Sequence, residues 1–451
     1  MRLRICYILV LIILGLELTA QTGQSFWFVA PDITAGHGDN PISIRVTTYN
    51  QAATITLSMP ANPSFTPMVA NVAANSFHTF DLTPFINQVE SQTNNQVDVN
   101  GIQISSTANI AAYYEIGPFN NTDIFALKAN NALGTEFYLS GQDYWKSGNY
   151  TPQPYATSHI VATENGTQVT ITPSVAILNH PAGVPFTITL NKGETYTIRA
   201  AGTNANQRFA GTHVTSNKPI AITITDDSLH NSSYGGCKDV VGDQTIPIDK
   251  IGKEYILVKG FLGNNGNKPD RIYIMAIEDS TKLYFDGSAV PNASLNQGNT
   301  YQHVLSNASL HISANKPVYV MHVTGFGCEV GMAIVPSIHC TGSNEVSFNR
   351  SQGGDFYMVV IVPSGFEGDF QVNGNNGFLK ANDFQAANGT GGAWKIARKK
   401  FNQGQIKIDH SYRVTNNQSK FHLGIINGTK SDGCLYGYFT DFGSVITGPI
   451  Y

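Results

Sequence analysis

A twelve-residue pattern of hydrophobic and polar positions recurs four times along the chain. Its clearest copy is residues 214–225, and related copies start at Ile104, Ile312 and Val414, roughly 100 residues apart. Each copy has a short β-prone stretch, a polar triplet such as Asn217-Lys218-Pro219, and a second β-prone stretch. Proline lacks an amide hydrogen and asparagine favours turns, so the triplet predicts an interrupted β-ladder between two strands. The recurrence predicts a four-fold internal repeat of one β-unit.

The second stretch of each copy predicts how that strand is buried. In the clearest copy, isoleucines alternate with Ala or Thr over residues 220–225, which predicts a strand with one face on a core. The first and third copies are apolar on both faces, at 110–113 and 318–321, as expected of central strands. The fourth copy is shifted in phase over 421–425, which predicts a β-bulge or a different register.

Other strand and turn signals recur around this pattern in the same order. Each repeat has about six short strands separated by turns, the profile of an antiparallel β-sandwich. One turn, Asn165-Gly166, predicts a hairpin, and residues 83–90 predict one short helix. We therefore predict a signal peptide at 1–20 and four β repeats at 21–133, 134–251, 252–352 and 353–451.

The expected fold class is all-β, with four tandem antiparallel β-sandwich-like repeats of about 100–115 residues. The alternative is a closed pseudo-symmetric β ring or propeller. In that arrangement, the equivalent Gly-Cys loops of the repeats would converge on an axis. A propeller would need two blades from each repeat, because a blade uses about 40 to 50 residues.

Composition and charge exclude several classes of protein. The chain of 451 residues is 41% apolar and 13% charged, which is too apolar for a disordered protein. The net charge is −4 and no run of Lys or Arg stands out, so no nucleic-acid partner is expected. Two arginines, an apolar run from Ile5 to Leu16 and a small residue at Ala20 predict a secretory signal peptide. We expect a secreted or cell-surface protein whose mature chain has no membrane span.

Cysteines are few, and their spacing predicts structural disulfides. Cys6 lies in the predicted signal peptide, which leaves Cys237, Cys328, Cys340 and Cys434 in the mature chain. Four cysteines in an exported protein permit two disulfides with three pairings. The first expectation is a local bridge between Cys328 and Cys340, with Cys237 and Cys434 bridging across repeats or staying free. No CxxC motif points to catalysis or to a metal site.

Sequence motifs for catalysis are absent, and we predict no catalytic, cofactor-binding or metal site. The chain has no HExxH, phosphate-binding loop, GxSxG or strand-linked GxGxxG motif. Scattered acids without EF-hand spacing predict a solvated loop rather than a calcium site. Histidines beside apolar strands predict hydrogen-bonded structural groups. The acidic loop contains Asp226, Asp227, His230, Asp239 and Asp243, and the histidines beside apolar strands are His322 and His339.

One aromatic segment is the candidate contact loop. Residues 144–150 read Tyr-Trp-Lys-Ser-Gly-Asn-Tyr between two predicted strands, which is too polar a context for a core. Aromatic faces on a rigid β-scaffold suit carbohydrate or protein ligands. Tyr144, Trp145 and Tyr150 are therefore the candidate binding residues.

Several motifs resemble those of a known family. The phrase VTSNKPIAI is followed by Gly-Gly-Cys237 and by Pro247-Ile248, and the phrase ISANKPVYV is followed by Gly327-Cys328. Together they resemble the N-terminal domain family of IgG Fc-binding protein and its secreted bacterial relatives. The resemblance implies a non-enzymatic extracellular module. It assigns no residue of this chain to Fc contact.

Three functions are consistent with these observations. The first is an exported adhesion or recognition module that binds a host or matrix protein or glycan. The second is a secreted carbohydrate-active enzyme, which would need two carboxylates about 5 to 9.5 Å apart in a cleft. The third is a structural spacer within a surface assembly, which a broad exposed aromatic patch would contradict.

Overall fold

The computed structural model describes residues 21–117, 121–339 and 341–443. The predicted signal peptide at 1–20 and Cys340 lie outside these residues. The regular secondary structure of the described residues is almost entirely β-strand, so the prediction of an all-β protein is confirmed. The predicted short helix is present as a 3₁₀ turn, Thr83–Phe85, followed by α1, Ile86–Val89.

The strands form four groups, which we call units one to four. Unit one (23–126) contains β1 (Gly23–Phe28), β2 (Ala30–Pro31), β3 (Ile42–Thr48), β4 (Ala53–Ser58), β5 (Met68–Val72), β6 (Phe77–Asp81), β7 (Glu90–Ser91), β8 (Val97–Asp98), β9 (Ile102–Ile116) and β10 (Asp123–Ala126). Unit two (134–244) contains β11 (Gly134–Tyr138), β12 (Ala156–Ala162), β13 (Thr167–Thr172), β14 (Phe186–Leu190), β15 (Thr195–Arg199), β16 (His213–His230) and β17 (Lys238–Gln244).

Units three and four follow in the same way. Unit three (252–334) contains β18 (Gly252–Val258), β19 (Phe261–Leu262), β20 (Asp270–Ala276), β21 (Thr281–Phe285), β22 (Ala293–Leu295), β23 (Thr300–Leu305), β24 (Ser309–Gly327) and β25 (Glu329–Ile334). Unit four (345–438) contains β26 (Glu345–Arg350), β27 (Asp355–Pro363), β28 (Phe370–Val372), β29 (Gln385–Ala386), β30 (Trp394–Phe401), β31 (His410–Asn416), β32 (His422–Gly428) and β33 (Cys434–Tyr438).

Units one, two and three share one strand order around a long strand. The orders are β5-β4-β9-β3-β6, β14-β13-β16-β12-β15 and β22-β21-β24-β20-β23. The long strands are β9, β16 and β24. Each also pairs with the first strand of its unit and with the strand that follows it, which we call the return strand: β10, β17 or β25. In unit four β31 and β32 take the place of the long strand, and β33 is the return strand.

The polar triplet interrupts the ladder without ending the strand. In unit two, β13 pairs with residues up to Ser216 of β16, whereas β12 pairs from Ile220 onward. On the other edge, the register with β11 jumps from Thr215 to Ile220. The predicted interruption is therefore confirmed, but the prediction of two separate strands is wrong for the first three units. The fourth copy, whose phase is shifted, does divide into two strands that lie in different sheets.

The Asn165-Gly166 turn does not close a hairpin, so that prediction is wrong. Strands β12 and β13 lie end to end along the same long strand and do not pair with each other. The turn therefore carries the chain from one half of β16 to the other. The prediction of a tight turn is confirmed, because Gly166 has a φ of +65°. The turn connects two strands that pair with different parts of β16 rather than with each other.

Both faces are buried in the second part of every long strand, after the polar triplet, because each sheet also packs on the neighbouring unit. In unit two Ala221, Thr223 and Thr225 are buried like the isoleucines between them, which corrects the prediction of one buried face. Ala221 packs with Trp27 of unit one. In the same way, Tyr319 packs into unit two, Tyr113 into unit four, and residues of unit four into unit three.

The return strands close these contacts into a ring. β10 contacts β17, β17 contacts β25, β25 contacts β33, and β33 contacts β10. Glycines permit this approach, because a Cβ atom at Gly242 would lie 2.3 Å from the Phe125 ring and one at Gly331 would lie 2.7 Å from Tyr436 Cβ. Backbone amides cross between units as well, with Gly242 N donating to Asp123 Oδ2 at 3.1 Å. The closed pseudo-symmetric ring is therefore the arrangement that the four units adopt.

The repeat boundaries stay a prediction from the sequence. Two strands pair across them. β8, which precedes residue 133, pairs with β15 of unit two. β26, which precedes residue 353, pairs with β31 of unit four.

Candidate functional site

Loops from all four units converge at one end of the ring, which we call the axial face. Ile42 pairs with Ile116 and Ala156 pairs with Asp226, so the loop before β3 or β12 lies at the same end as the loop after the long strand. Units three and four have the same antiparallel arrangement. The described loops of the axial face are 32–41, 121–122, 139–155, 231–237, 259–269, 351–354 and 429–433.

Contacts between these loops run around the whole ring. His37 of unit one stacks on Tyr150 of unit two, with ring centroids 4.5 Å apart. The Tyr234 hydroxyl donates to the Pro269 carbonyl oxygen at 2.8 Å, and Lys430 Nζ donates to Asn265 Oδ1 at 3.3 Å. Thr122 Oγ1 donates to the Asp432 carbonyl oxygen at 3.3 Å, which joins units one and four. The axial face is thus one continuous surface.

The loop 139–155 is the longest of these loops and is organised by buried Gln142. Gln142 Oε1 accepts hydrogen bonds from the backbone amides of Tyr144 at 2.9 Å and Trp145 at 2.7 Å. Its Nε2 donates to Asp226 Oδ2 at 2.9 Å, and that carboxylate also forms an ion pair with Arg208. A buried and fully engaged polar network of this kind holds the loop in one conformation.

The three candidate binding residues of this loop have different surroundings. Tyr144 is 46% exposed, and its ring lies 3.5 Å from the guanidinium of Arg271 in unit three. Tyr150 is half-buried between His37 and Lys238. Trp145 is only 1% exposed and belongs to the core of unit two, so the expectation that this segment is too polar for a core is wrong there. The Trp145 indole therefore lies beneath the axial face, in the core.

A disulfide between Cys237 and Cys328 joins units two and three at the axial face, with Cα atoms 5.4 Å apart. The expected bridge between Cys328 and Cys340 is therefore wrong. The reason is the ring, which brings the equivalent Gly-Cys loops of neighbouring units side by side although 91 residues separate them in sequence. Cys434, the third cysteine with a preceding glycine, is free and fully buried.

A family comparison covers most of this architecture. The family model described as IgGFc binding protein matches residues 123–425, from the first return strand to β32. The chain belongs to the IgGFc binding protein family. No curated protein matches the chain. The family is one of binding proteins, and its name implies a protein ligand. The described residues include no helix that is long and apolar enough to cross a membrane.

In this member of the IgGFc binding protein family, carboxyl groups lie under the axial face. Burial, with the nearby charges of Asp227 and Asp39, raises the pKa of Asp32 to about 6. Burial also raises the pKa of Glu90 to about 10, helped by the charges of Asp32, Asp39 and Asp227. These groups therefore hold protons at pH values where exposed carboxyls are ionised.

The acids near the end of β16 and in β17 are buried structural groups, so their interpretation as a solvated loop is wrong. Asp226, Asp227, Asp239 and Asp243 are all at most 5% exposed. Their partners come from other segments, which the sequence could not indicate: Arg208 for Asp226, His37 for Asp227, Glu329 for Asp239 and Lys128 for Asp243. His230 is half-buried at the end of β16.

The two histidines near Cys328 differ in burial. His322 is fully buried, with Nδ1 2.8 Å from the Tyr436 hydroxyl and Nε2 3.1 Å from Asp270 Oδ2. The prediction of a hydrogen-bonded structural histidine is confirmed for this residue. His339 is exposed beside Glu254, at 2.9 Å. Among the described residues, one group could bring three metal-ligand atoms together, namely Cys237, Cys328 and Glu329, and its two sulfur atoms are bonded to each other.

Sequence reasoning missed the residues that other units contribute to the candidate loop. Arg271, His37 and Lys238 contact Tyr144 or Tyr150 but lie far from them in sequence. Their own sequence contexts carry no binding motif. Only the ring alternative, with its convergent loops, would have indicated that they meet.

Proposed function

We propose that the chain is an exported, non-enzymatic recognition module that binds an extracellular protein through the axial face. The observation that carries this proposal is the convergence of loops from four units around an exposed Tyr144 stacked on Arg271. Family membership supports a protein as the ligand. The predicted signal peptide and the disulfide support export, because disulfides persist in oxidising compartments.

The chemistry of this surface suits a protein partner. Tyrosine and arginine are enriched among the residues that contribute most to protein interfaces. Lys146 and Asn149 in the same loop, and Lys268 in the loop before β20, are exposed and offer hydrogen-bond donors on the axial face. The buried Gln142 network fixes the loop before binding, and a preorganised loop loses less conformational entropy when a partner docks.

Binding of the chain from Gln21 onward to immobilised proteins tests the proposal. The Fc fragment of immunoglobulin G is the first probe, because the family carries its name, and a panel of extracellular matrix proteins and mucins follows. We expect Tyr144→Ala and Arg271→Ala each to weaken binding at least about tenfold, as loss of a central interface residue does.

Phe366→Ala is the matched control. Phe366 is exposed in the turn after β27, and Asp355 at the start of that strand lies at the axial face, so Phe366 lies at the opposite end of the unit. The control should bind like the unchanged chain. Equal binding by all variants would move the site away from Tyr144, and no binding to any protein probe would overturn the proposal.

A second candidate function, glycan binding, is favoured by a polar groove of about 400 Å³ between units one and four. Amide and hydroxyl side chains dominate its lining, and such groups pair with sugar hydroxyls. A glycan array probed with the unchanged chain and with Gln371→Ala tests this candidate. Glycan binding that Gln371→Ala weakens and Tyr144→Ala does not would assign it to the groove. The lining residues are Asn75, Gln371, Asn373, Gly374, Ser411, Arg413, Thr415 and Asn417.

A further inference from the structure

The Cys237–Cys328 disulfide lies where a thiol can approach it. Both cysteines are partly exposed at the axial face. Beside Cys328 lies Gly235, which is exposed and has a φ of +137°, and a Cβ atom there would lie 3.7 Å from Cys328 Sγ. Gly327 precedes Cys328 directly. Two residues without side chains therefore adjoin Cys328, whose side chain is partly exposed and also packs on the core of unit two.

A carboxyl group lies against the other sulfur. Glu329 Oε1 is 3.2 Å from Cys237 Sγ, and the Glu329 side chain is buried. A disulfide sulfur has no proton to donate, so this contact suits a protonated carboxyl better than a carboxylate. Glu329 is thus placed to give a proton to one sulfur of the pair.

A second carboxyl group retains that proton. Asp239 and Glu329 are hydrogen-bonded to each other, which requires one shared proton. Asn231 Nδ2 donates to Asp239 Oδ2 at 2.7 Å and also to the Cys328 carbonyl oxygen. Burial raises the pKa of both carboxyl groups. The hydrogen bond between them raises the pKa of Asp239 further and lowers that of Glu329, whereas the charge of Asp432 from unit four raises that of Glu329. Tyr150 and Cys434 are further titratable groups near Glu329.

We propose that Cys237–Cys328 is a thiol–disulfide exchange site, in which an incoming thiol becomes bonded to Cys328 and Glu329 protonates the sulfur of Cys237. The thiolate attacks Cys328 Sγ, the sulfur–sulfur bond breaks, and its electron pair goes to Cys237 Sγ. That sulfur takes the proton of Glu329, and the proton that the incoming thiol released on forming its thiolate returns to Glu329 through the solvent. One thiol and one disulfide are consumed and one mixed disulfide and one thiol are formed, so no oxidant is required.

The remaining described cysteine does not compete in this step. Cys434 is fully buried, and burial together with the charges of Asp123, Asp239, Glu329 and Asp270 raises the pKa of its thiol well above the usual value. A thiol of that kind is a poor nucleophile. Exchange would release the covalent connection between units two and three while leaving the non-covalent ring contacts in place.

Incubation with glutathione between pH 5 and 8, followed by mass spectrometry of peptides from the intact chain, tests the proposal. We expect the glutathione adduct on Cys328 and a free thiol on Cys237. With rates divided by the glutathione thiolate concentration, Glu329→Gln should slow exchange about tenfold or more at the acidic end, as loss of a general acid does. The two rates should converge as Glu329 ionises in the unchanged chain.

Two further variants keep the test decisive. Glu164→Gln changes an exposed glutamate of unit two and should leave the exchange rate unchanged. Glu329→Asp keeps an acid but withdraws it by one methylene, so it should be slower than the unchanged chain and faster than Glu329→Gln. An adduct on Cys237, no adduct at all, or equal rates for the unchanged chain and Glu329→Gln over the whole pH range would overturn the proposal. Exchange is measured on the free chain, so its outcome is independent of ligand binding at Tyr144.

Discussion

Lys128 Nζ lies 2.6 Å from Asp243 Oδ1, and this fully buried ion pair joins the segment that follows unit one to unit two. Asp243 Oδ2 also accepts a hydrogen bond from the backbone amide of Ile334 in unit three, at 2.9 Å. One carboxylate of unit two therefore connects to unit three and to the segment that follows unit one. Burial lowers the pKa of Lys128 and raises that of Asp243, while each charge favours the ionised form of the other.

Removing one partner of this pair should be much worse than removing both. Lys128→Met leaves a buried carboxylate without its cation, and we expect the free energy of unfolding to fall by about 3–5 kcal/mol. Lys128→Met with Asp243→Asn removes both charges and keeps an acceptor for Ile334, so it should recover part of that loss. Urea unfolding of the three chains measures this. A loss below about 1 kcal/mol for the single variant would contradict a buried ion pair.

Glu90 should make stability fall as the pH rises. Its pKa is about 10 in the folded chain against an ordinary value of 4.5, so folding binds a proton there. The stabilisation is complete below about pH 4.5 and is lost at up to about 1.4 kcal/mol per pH unit as the pH rises toward 10. Glu90→Gln should flatten the profile between pH 5 and 9 and stabilise the chain by up to about 3 kcal/mol at pH 7.

Urea unfolding across that pH range measures the effect of Glu90→Gln. Glu164→Gln, at an exposed site, is the control and should keep the slope of the unchanged chain. If the slope survives in Glu90→Gln, another of the buried carboxyl groups is responsible.

Two adjacent aromatic residues should respond in opposite ways to truncation. Trp145 fills the core of unit two, so Trp145→Ala should cost about 3–5 kcal/mol in the free energy of unfolding. Tyr144 lies on the surface, so Tyr144→Ala should cost less than about 1 kcal/mol while it weakens ligand binding. Chemical denaturation gives the first quantity and the binding assay the second. A large stability loss for Tyr144→Ala would contradict a surface role.

Loss of the disulfide should destabilise the ring without abolishing it. The bridge closes a segment of 91 residues, for which chain entropy predicts about 3–5 kcal/mol. Cys237→Ser with Cys328→Ser should lower the free energy of unfolding by that amount, and a reductant should have the same effect on the unchanged chain. Cys434→Ala is the control, with an expected cost of about 1 kcal/mol. Equal stability in oxidised and reduced chains would contradict the prediction.

Local features of the fold could be read from the sequence because they depend on neighbouring residues. The all-β class and the ladder interruption at Asn217-Lys218-Pro219 follow from patterns a few residues long. The end-to-end placement of β12 and β13 could not be read, because Asn-Gly specifies a turn and not which strand each arm pairs with. Burial of Thr223 and Thr225 likewise depends on a neighbouring unit.

The candidate site was predictable only in part for the same reason. The sequence indicated the loop that carries Tyr144, but it also gave Trp145 as a binding residue. A polar sequence context does not show which side chain of a loop points into the core. The partners of Tyr144 and Cys237, namely Arg271 and Cys328, come from the next unit. Such contacts require the relative placement of units, which short-range patterns do not contain.

Cyclic contact among β10, β17, β25 and β33 has a consequence for how the protein unfolds. In an open chain of repeats, a terminal repeat has one interface and can detach at the cost of that interface alone. Here every unit has two interfaces, and the first meets the fourth through Tyr113 and Asn349, whose hydrogen bonds span 236 residues. Releasing any unit breaks two interfaces at once, so heating should melt all four together in a single calorimetric transition.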